Sequence, residues 1–94
     1  MIGIIYKMTI ITTGKYYVGQ HIGEDIRTYC GSGRIWFDNL KGLKNKFPKC
    51  WKKLVKKEIL YKGDCSQRVL DKLEEVYIRK EKAHYSLGLG GCNV

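Results

Sequence analysis

Apolar residues alternate with small or polar residues at the start of the chain. One face of this segment carries Ile2, Ile4, Tyr6, Met8 and Ile10. A period of two with many β-branched residues predicts a strand over residues 2–11. A turn is predicted at 12–14, where glycine can take a positive φ, and a second short strand at 15–20. The two strands are expected to form a hairpin.

The middle of the chain changes to a helical repeat. Residues 21–33 are polar and rich in glycine, which predicts a loop, and Ser32 is placed to cap a helix. Apolar residues then recur at intervals of four, three and four, at Trp36, Leu40, Leu43 and Phe47. This spacing is typical of an amphipathic helix. Pro48 is expected to end it, because the residue before a proline avoids the helical region.

The second half of the chain repeats the change from strand to helix. A strand is predicted around residues 53–61 and is closed by a turn at 62–64. Ser66 is expected to cap a helix over about 67–82. The apolar stripe of that helix consists of Leu70, Leu73, Tyr77 and Ile78.

A glycine-rich segment at 83–94 is expected to form a loop or a short terminal strand. The predicted order is therefore β-β-α-β-α, beginning with a hairpin. This order is typical of a single α+β domain over residues 1–94. We expect a small three-stranded antiparallel sheet flanked by helices.

Glu74 lies on the apolar stripe of the last predicted helix, four residues after Leu70 and four before Ile78. Glutamate is rarely buried unless it is paired or binds a cation. Two interpretations stay open from helical geometry alone. Either the side chain reaches water from the edge of the stripe, or it is held in the interior for a function. Glu75 is about 100° further round the helix and is expected to be solvated.

The first two strands contain tyrosines and a glycine that also need an explanation. Tyr6 stands among aliphatic residues, and Tyr17 leads into Val18 and Gly19. On their own the tyrosines are most simply core aromatics with a hydroxyl at the rim. A glycine inside a strand, such as Gly19, usually indicates that another group approaches the backbone closely.

The charge of the chain points to a polyanionic partner. Eighteen Lys and Arg residues oppose nine Asp and Glu residues, which gives a net charge of +9. Nucleic acid is the commonest ligand for so basic a domain, although a basic soluble surface is the plain alternative. The lysines concentrate in one stretch without acids, and we expect them to contact the DNA backbone: Lys44, Lys46, Lys49, Lys52, Lys53, Lys56 and Lys57.

Several classes of protein are disfavoured by the sequence. No apolar run approaches the roughly 20 residues that a membrane span needs, and the first residues have no signal-peptide pattern. The cysteines are isolated and form no close pair, so neither a zinc site nor a disulfide framework is expected. These cysteines are Cys30, Cys50, Cys65 and Cys92. We expect a cytoplasmic protein with free thiols and without a membrane segment.

Four short motifs, in order, resemble those of the GIY-YIG nuclease superfamily, and especially its phage homing endonucleases. The first is Ile4-Ile5-Tyr6, with Ile4 where the family usually has glycine, and the second is Tyr17-Val18-Gly19. The third, residues 73–78, resembles the family's L-E-x-x-aromatic-I segment. The fourth is Gly91-Cys92-Asn93, which resembles a closing G-Y-N. The resemblance covers nearly the whole chain and implies a DNA endonuclease domain.

The resemblance also implies roles for individual residues. Its register places the metal-binding glutamate on Glu74, and a lone carboxylate suits one Mg²⁺ or Mn²⁺ ion that keeps several waters. Tyr6 would be the general base, with Lys15, His21 or a metal-bound hydroxide lowering its pKa or relaying the proton. Tyr17 would orient the water or a phosphate oxygen. Asn93 would hold the shape of the site.

The catalytic arginine has two candidates. Arg27 stands ten residues after Tyr17, which is the usual spacing in the family, and is slightly favoured. Arg34 follows a Gly31-Ser32-Gly33 segment that is similar to the longer loop of the phage-type members, which would bring Arg34 into the site instead. Either guanidinium could grip phosphate in a bidentate manner.

Two other functions compete with the nuclease. A non-catalytic, basic nucleic-acid-binding domain, descended from a nuclease, is favoured by the replaced glycine at Ile4 and the replaced tyrosine at Cys92. A domain that binds acidic proteins is the third. No small-molecule cofactor and no separate DNA-recognition module are expected within these residues.

Overall fold

Three strands and two helices form the fold, and all residues 1–94 are described by a computed structural model. The strands are β1 Ile2–Ile10, β2 Tyr16–Ile22 and β3 Val55–Asp64, and the helices are α1 Arg34–Lys46 and α2 Gln67–Lys80. Two short 3₁₀ helices lie at Trp51–Leu54 and Tyr85–Leu87. The β-β-α-β-α order and the α+β class are confirmed.

Strand β1 is the centre of the sheet. The strand order is β2-β1-β3, and both pairings are antiparallel. Tyr6 pairs with Gly19 on one side and with Ile59 on the other. The pairing with β3 shifts by one residue between Ile5 and Tyr6, because Leu60 is bulged out of the ladder. A central strand has neighbours on both sides, and six of the nine residues of β1 are buried.

Each face of the sheet is covered by one helix. Helix α1 buries its predicted stripe of Trp36, Leu40 and Leu43 against the face that carries Tyr6 and Met8. On the other face, Leu70 of α2 packs with Ile5, Val18 and Ala83. Burying each of these large side chains contributes about 1.5–3 kcal/mol, so the two faces together hold the sheet between its helices.

Strand β3 differs from its predicted bounds at both ends. Residues 51–54 form a 3₁₀ helix, so the strand begins at Val55 and not at 53. Residues 62–64 continue the strand although they were expected to turn, because Asp64 pairs with Ile2 and Gly63 pairs with Gly3. The amino terminus also donates a hydrogen bond to the Asp64 carboxylate at 2.8 Å. Tertiary pairing thus overrides the local turn signal.

The two predicted helix caps have different outcomes. Ser66 caps α2, since its Oγ accepts a hydrogen bond from Val69 N at 3.3 Å. Ser32 does not cap α1, and that prediction is wrong. Gly33 is the residue before the helix, with φ 104°, and no side chain caps it. Such a φ is accessible to glycine and strained for other residues, so the backbone turns there without the geometry a serine cap requires.

The C-terminal segment lies beside β2. Cys92 N donates to Tyr16 O at 2.8 Å, and Tyr16 N donates to Gly90 O at 3.0 Å. Tyr16 and Gly91 form an isolated parallel bridge. The segment therefore adds a single bridge, and no full strand, to the free edge of β2 near its start. Neither helix has the length and apolar character that crossing a membrane would require, and all four cysteines are unpaired.

Candidate active site at the edge of β2

A cleft of about 430 Å³ opens between the edge of β2, the start of α1, helix α2 and the C-terminal segment. The lining consists of Tyr17, Gly33, Arg34, Glu74, Ile78, Cys92, Asn93 and Val94. Tyr17, Arg34, Glu74 and Asn93 are all residues that the sequence singles out. They come from four separate parts of the chain, and the fold brings them to one opening.

Glu74 is half-buried in the cleft, whereas its neighbour Glu75 is exposed and pairs with Arg79 at 2.7 Å. Burial is the main cause that raises the pKa of the Glu74 carboxyl; hydrogen bonding from Gln20 opposes the rise, and the charge of Asp71 adds to it. Glu74 forms no ion pair with any lysine, arginine or histidine. A carboxylate that is partly desolvated and unpaired is poised to take up a cation.

A small polar network lies beside Glu74, and the sequence analysis did not predict it. Gln20 Nε2 donates to the Asp71 carboxylate at 2.8 Å, and Gln67 Nε2 donates to Gln20 Oε1 at 2.7 Å. Gln67 Nε2 also lies within donating distance of the Asp71 carboxylate, at 2.7 Å, and the hydrogen bonds from Gln20 and Gln67 lower the pKa of Asp71. One signal for this network was available, since Asp71 precedes Glu74 by three residues and so shares its helix face. Gln20 carries no comparable signal.

Tyr6 is buried and lies across Gly19. An added Cβ at Gly19 would contact the Tyr6 hydroxyl and stand 2.6 Å from its Cζ. The close approach predicted at Gly19 is thereby confirmed, and the approaching group is a ring of the same sheet. The Tyr6 hydroxyl makes no hydrogen bond. Burial first, and then the neighbouring Tyr29 and Tyr17, raise the pKa of Tyr6, which is opposite to what a general base requires.

Tyr17 lies between the buried ring of Tyr6 and the cleft. The ring centroids of Tyr6 and Tyr17 are 6.2 Å apart, and Tyr17 stacks on Trp36 at 5.9 Å. Its hydroxyl lies 3.3 Å from Ser32 Oγ. Burial raises the pKa of Tyr17, and the hydrogen bond with Ser32 opposes the rise. The hydroxyl is therefore held as a protonated hydrogen-bonding group at the cleft.

The structure separates the two candidate arginines. Arg34 is the first residue of α1, is exposed, forms no ion pair and lines the cleft with Glu74. Arg27 does not line the cleft, and its guanidinium pairs with Asp25 at 3.0 Å. The slight preference for Arg27 from its spacing to Tyr17 is not matched by this geometry. The loop after β2 is long, so α1 begins only at Arg34 and carries that residue to the opening.

His21 and Lys15 lie outside the lining of the cleft. His21 packs on Tyr29 with ring centroids 4.4 Å apart. Lys15 is exposed at the end of the hairpin, where its charge acts on Cys92, whose thiol pKa is raised mainly by burial. Neither side chain hydrogen-bonds the Tyr6 hydroxyl. The structure therefore provides no contact through which they would activate Tyr6.

The side chain of Asn93 is buried and clamps the backbone of β2. Its Oδ1 accepts from Val18 N at 2.9 Å, and its Nδ2 donates to Val18 O at 2.6 Å. The amide thus satisfies both backbone groups of a strand residue, as a neighbouring strand would. Val18 lies between Tyr17 and Gly19, so Asn93 fixes the part of β2 that faces the cleft.

The lysine-rich stretch occupies the far end of α1, the 3₁₀ helix and the start of β3. Lys44 lies over the ring of Trp51 at 4.5 Å. Lys57 was expected to contact the DNA backbone, but its Nζ instead donates to the carbonyls of Ile26 and Arg27 at 3.1 and 2.8 Å. Lys56 lies 3.4 Å from the Glu58 carboxylate. The thirteen residues of α1 span about 20 Å, which separates Lys44 and Lys46 in its last turn from Arg34 at its start.

The donor set of the cleft fits one hard divalent cation. No group of three or more His, Cys, Asp or Glu side chains is arranged to hold a metal, which disfavours a closed, all-protein site. Mg²⁺ commonly binds through one or two carboxylates and keeps several waters. Glu74 offers such a carboxylate, unpaired and facing an open cleft.

No known protein family, no curated protein and no solved structure matches this chain. The resemblance to GIY-YIG nucleases accordingly rests on the four sequence motifs alone.

Proposed function

We propose that this protein is a metal-dependent DNA endonuclease that hydrolyses phosphodiester bonds in the cleft beside β2. Its resemblance is to the catalytic domain of phage-type homing endonucleases, which would act in the cytoplasm of the host cell. The observation that carries the proposal is the meeting of Tyr17, Arg34, Glu74 and Asn93 at one opening. Core packing alone gives no reason for an unpaired carboxylate, an unpaired guanidinium and a tyrosine hydroxyl to share that opening.

Glu74 and Arg34 would stabilise the negative charge of the phosphate and of the transition state. Glu74 would hold the Mg²⁺ or Mn²⁺ ion, which would supply Lewis-acid stabilisation of the phosphate and of the leaving oxygen. Arg34 is free to bind non-bridging phosphate oxygens and to stabilise the additional negative charge of the transition state. Because Arg34 begins α1, its backbone is fixed by the helix while its side chain reaches into solvent.

Tyr17 would orient the reactants as a protonated hydroxyl, with the ring of Tyr6 packed behind it. The raised pKa of both hydroxyls makes them donors at neutral pH. The Tyr6 hydroxyl lacks a partner, but it is buried behind Tyr17 and does not line the cleft, so it would not contact the reactants directly. Tyr17 and Ser32 form a pair of hydroxyls that leads from the cleft to solvent, along which the proton of the attacking water would leave.

The net charge of +9 would draw DNA to this site. Lysines at the far end of α1 would contact phosphates about 20 Å from the cleft. Such contacts position the duplex without reading its sequence. We therefore expect weak binding that depends strongly on salt.

The second candidate function is a nucleic-acid-binding domain without catalytic activity. One observation favours it: burial raises the pKa of Tyr6, so the residue in the position of the base would stay protonated at neutral pH. The basic surface would then serve binding alone. Cleavage in the presence of a divalent metal separates the two functions.

The test is cleavage of supercoiled plasmid by wild type, Glu74→Gln and Glu75→Gln, each with Mg²⁺, Mn²⁺ or EDTA. We expect metal-dependent nicking or linearisation by wild type and by Glu75→Gln, and none by Glu74→Gln. Glu75 is the matched control because it neighbours Glu74 but points to solvent. Gel shifts in EDTA should show similar DNA binding for all three. Binding without cutting by wild type would favour the second function, and loss of cutting in Glu75→Gln alone would show that the register is wrong.

A further inference from the structure

A second pocket, of about 460 Å³, lies between the loop before α1, the 3₁₀ helix at Trp51–Leu54 and the start of β3. Its volume is within the range of about 300–1,000 Å³ that small-ligand pockets occupy. The lining consists of Arg27, Thr28, Cys30, Leu40, Trp51, Lys52, Val55 and Lys57. None of these residues lines the cleft that holds Glu74.

The charge of this pocket selects for an anion. Its lining contains three cationic side chains and no acidic one. Lys57 is fixed by two backbone carbonyls but pairs with no carboxylate. Arg27 pairs with Asp25 outside the lining, and because its side chain is 86% exposed this pair is weak and open to exchange. Lys52 forms no ion pair.

The aromatic part of the pocket is the half-buried indole of Trp51. Lysine ammonium groups lie near its ring, Lys44 at 4.5 Å and Lys52 at 5.8 Å from the centroid. An exposed cation–π contact is weaker than the stacking of a base on an aromatic side chain. A base could therefore displace the lysines from the ring and leave their charges beside it.

We propose that this pocket binds an unstacked nucleotide of single-stranded DNA, with the base against Trp51 and the phosphate against Arg27 and Lys52. The inference deepens the proposed function and rests on it for the identity of the ligand as DNA. A paired base in a duplex has its faces covered by its neighbours, so it would not stack on Trp51. Lys49 precedes the 3₁₀ helix at Trp51–Leu54, Lys53 lies within that helix, and both are exposed, so a continuous strand would gain phosphate contacts that a free nucleotide lacks.

The experiment measures binding without cleavage, in the Glu74→Gln protein and in EDTA. A labelled ten-nucleotide dT oligomer is titrated by fluorescence anisotropy, with a duplex of equal length and free dTMP as competitors. We expect the oligomer to bind more tightly than either. Trp51→Leu and Lys52→Ala should each weaken its binding about 10-fold, whereas Lys41→Ala, an exposed α1 lysine outside the pocket, should change it less than 2-fold.

Two further readouts keep the inference testable. Trp36 is fully buried, so quenching of tryptophan fluorescence by the oligomer would report on Trp51 without any substitution there, and circular dichroism checks the folding of each variant. The inference is overturned if the oligomer does not quench, if Lys41→Ala weakens binding as much as Lys52→Ala, or if dTMP or duplex binds as tightly as the single strand. Absence of plasmid cleavage by wild type would count against the nuclease and not against this pocket.

Discussion

The ring of Tyr6 lies directly over Gly19, its partner across the β1–β2 ladder, and occupies the space that any side chain at position 19 would need. The contact joins the centre of the sheet to the strand that lines the cleft. It also explains why this strand position carries a glycine, the residue type that has no Cβ. The geometry of the candidate site therefore depends on a glycine that takes no part in chemistry.

Gly19→Ala is expected to lower the free energy of unfolding by about 1–3 kcal/mol, as overpacking of a close-packed core does. An added Cβ would stand 2.6 Å from Cζ of Tyr6, a rigid ring that cannot turn aside. Urea unfolding measures the change. Gly42→Ala is the control, because Gly42 lies in α1 with open space around it, and this substitution should stabilise by about 0.5–1 kcal/mol. Equal effects at both glycines would contradict the contact.

Tyr6→Phe is expected to raise the free energy of unfolding by about 1 kcal/mol, because it removes a buried hydroxyl that has no partner. The same change should lower cleavage by less than the roughly 10²-fold that losing a direct donor costs, because the Tyr6 hydroxyl is buried behind Tyr17 and does not line the cleft. The pH dependence of the residual activity should keep its shape, because a hydroxyl with a raised pKa does not titrate near neutrality. Loss of the limb in which the rate rises with pH, on the acidic side of the pH–rate profile, would instead identify Tyr6 as the base.

Asn93→Ala is expected to destabilise the protein by about 1–3 kcal/mol for each backbone group of Val18 that loses its partner. Thermal unfolding checks this, with Asn45→Ala as the control, since Asn45 is exposed on α1. Asn93→Asp should destabilise at neutral pH at least as much as Asn93→Ala, because a carboxylate oxygen would face Val18 O at a buried position and could not donate to it. A neutral effect of Asn93→Ala would show that the clamp is not formed in solution.

Most of the fold could be predicted because the hydrophobic period changes clearly along the chain. The stripe at Trp36, Leu40 and Leu43 is buried as its spacing indicates. Turn signals in the local sequence gave the wrong bounds for β3, because pairing across the sheet decides where that strand ends. Gly63 reads as part of a turn, yet its pairing with Gly3 keeps it in β3.

The sequence singled out four residues that line the cleft, Tyr17, Arg34, Glu74 and Asn93, but not their arrangement. The apolar stripe on α2 marked Glu74 as unusual, and the structure places it at the cleft. The path of the loop before α1 decides which arginine reaches the cleft, and spacing from Tyr17 could not reveal it. Gln20 was missed because its contact with Asp71 joins β2 to α2 across a long stretch of sequence.

Arg34→Ala is expected to lower plasmid cleavage by about 10²–10³-fold, the usual cost of removing one group that stabilises transition-state charge. Its stability should hardly change, because Arg34 is exposed and unpaired. Arg27→Ala removes the same charge from a loop outside the cleft and should reduce cleavage less than about 10-fold. Initial rates at saturating DNA measure both. The opposite order of effects would assign the catalytic role to Arg27.

Glu74→Gln is expected to raise the melting temperature at pH 7 in the absence of metal. Burial raises the pKa of Glu74 in the folded state, so the folded protein binds this proton more tightly than the unfolded chain does. The resulting stability is fully present below the unfolded pKa, about 4.3, and is lost as the pH rises through the higher folded value. Glutamine avoids that loss because it carries no charge, so the difference between variant and wild type should grow over this pH range.

A divalent cation should reverse the order at pH 7. Mg²⁺ at ten times its dissociation constant would stabilise wild type by about 1.4 kcal/mol and leave Glu74→Gln unchanged. Melting temperatures from pH 4 to 8, with EDTA and with Mg²⁺, measure both effects, and Glu75→Gln serves as the solvent-exposed control. If Mg²⁺ stabilised wild type and Glu74→Gln equally, the cation would bind elsewhere, and Glu74 would be only a half-buried carboxylate at the edge of an apolar stripe.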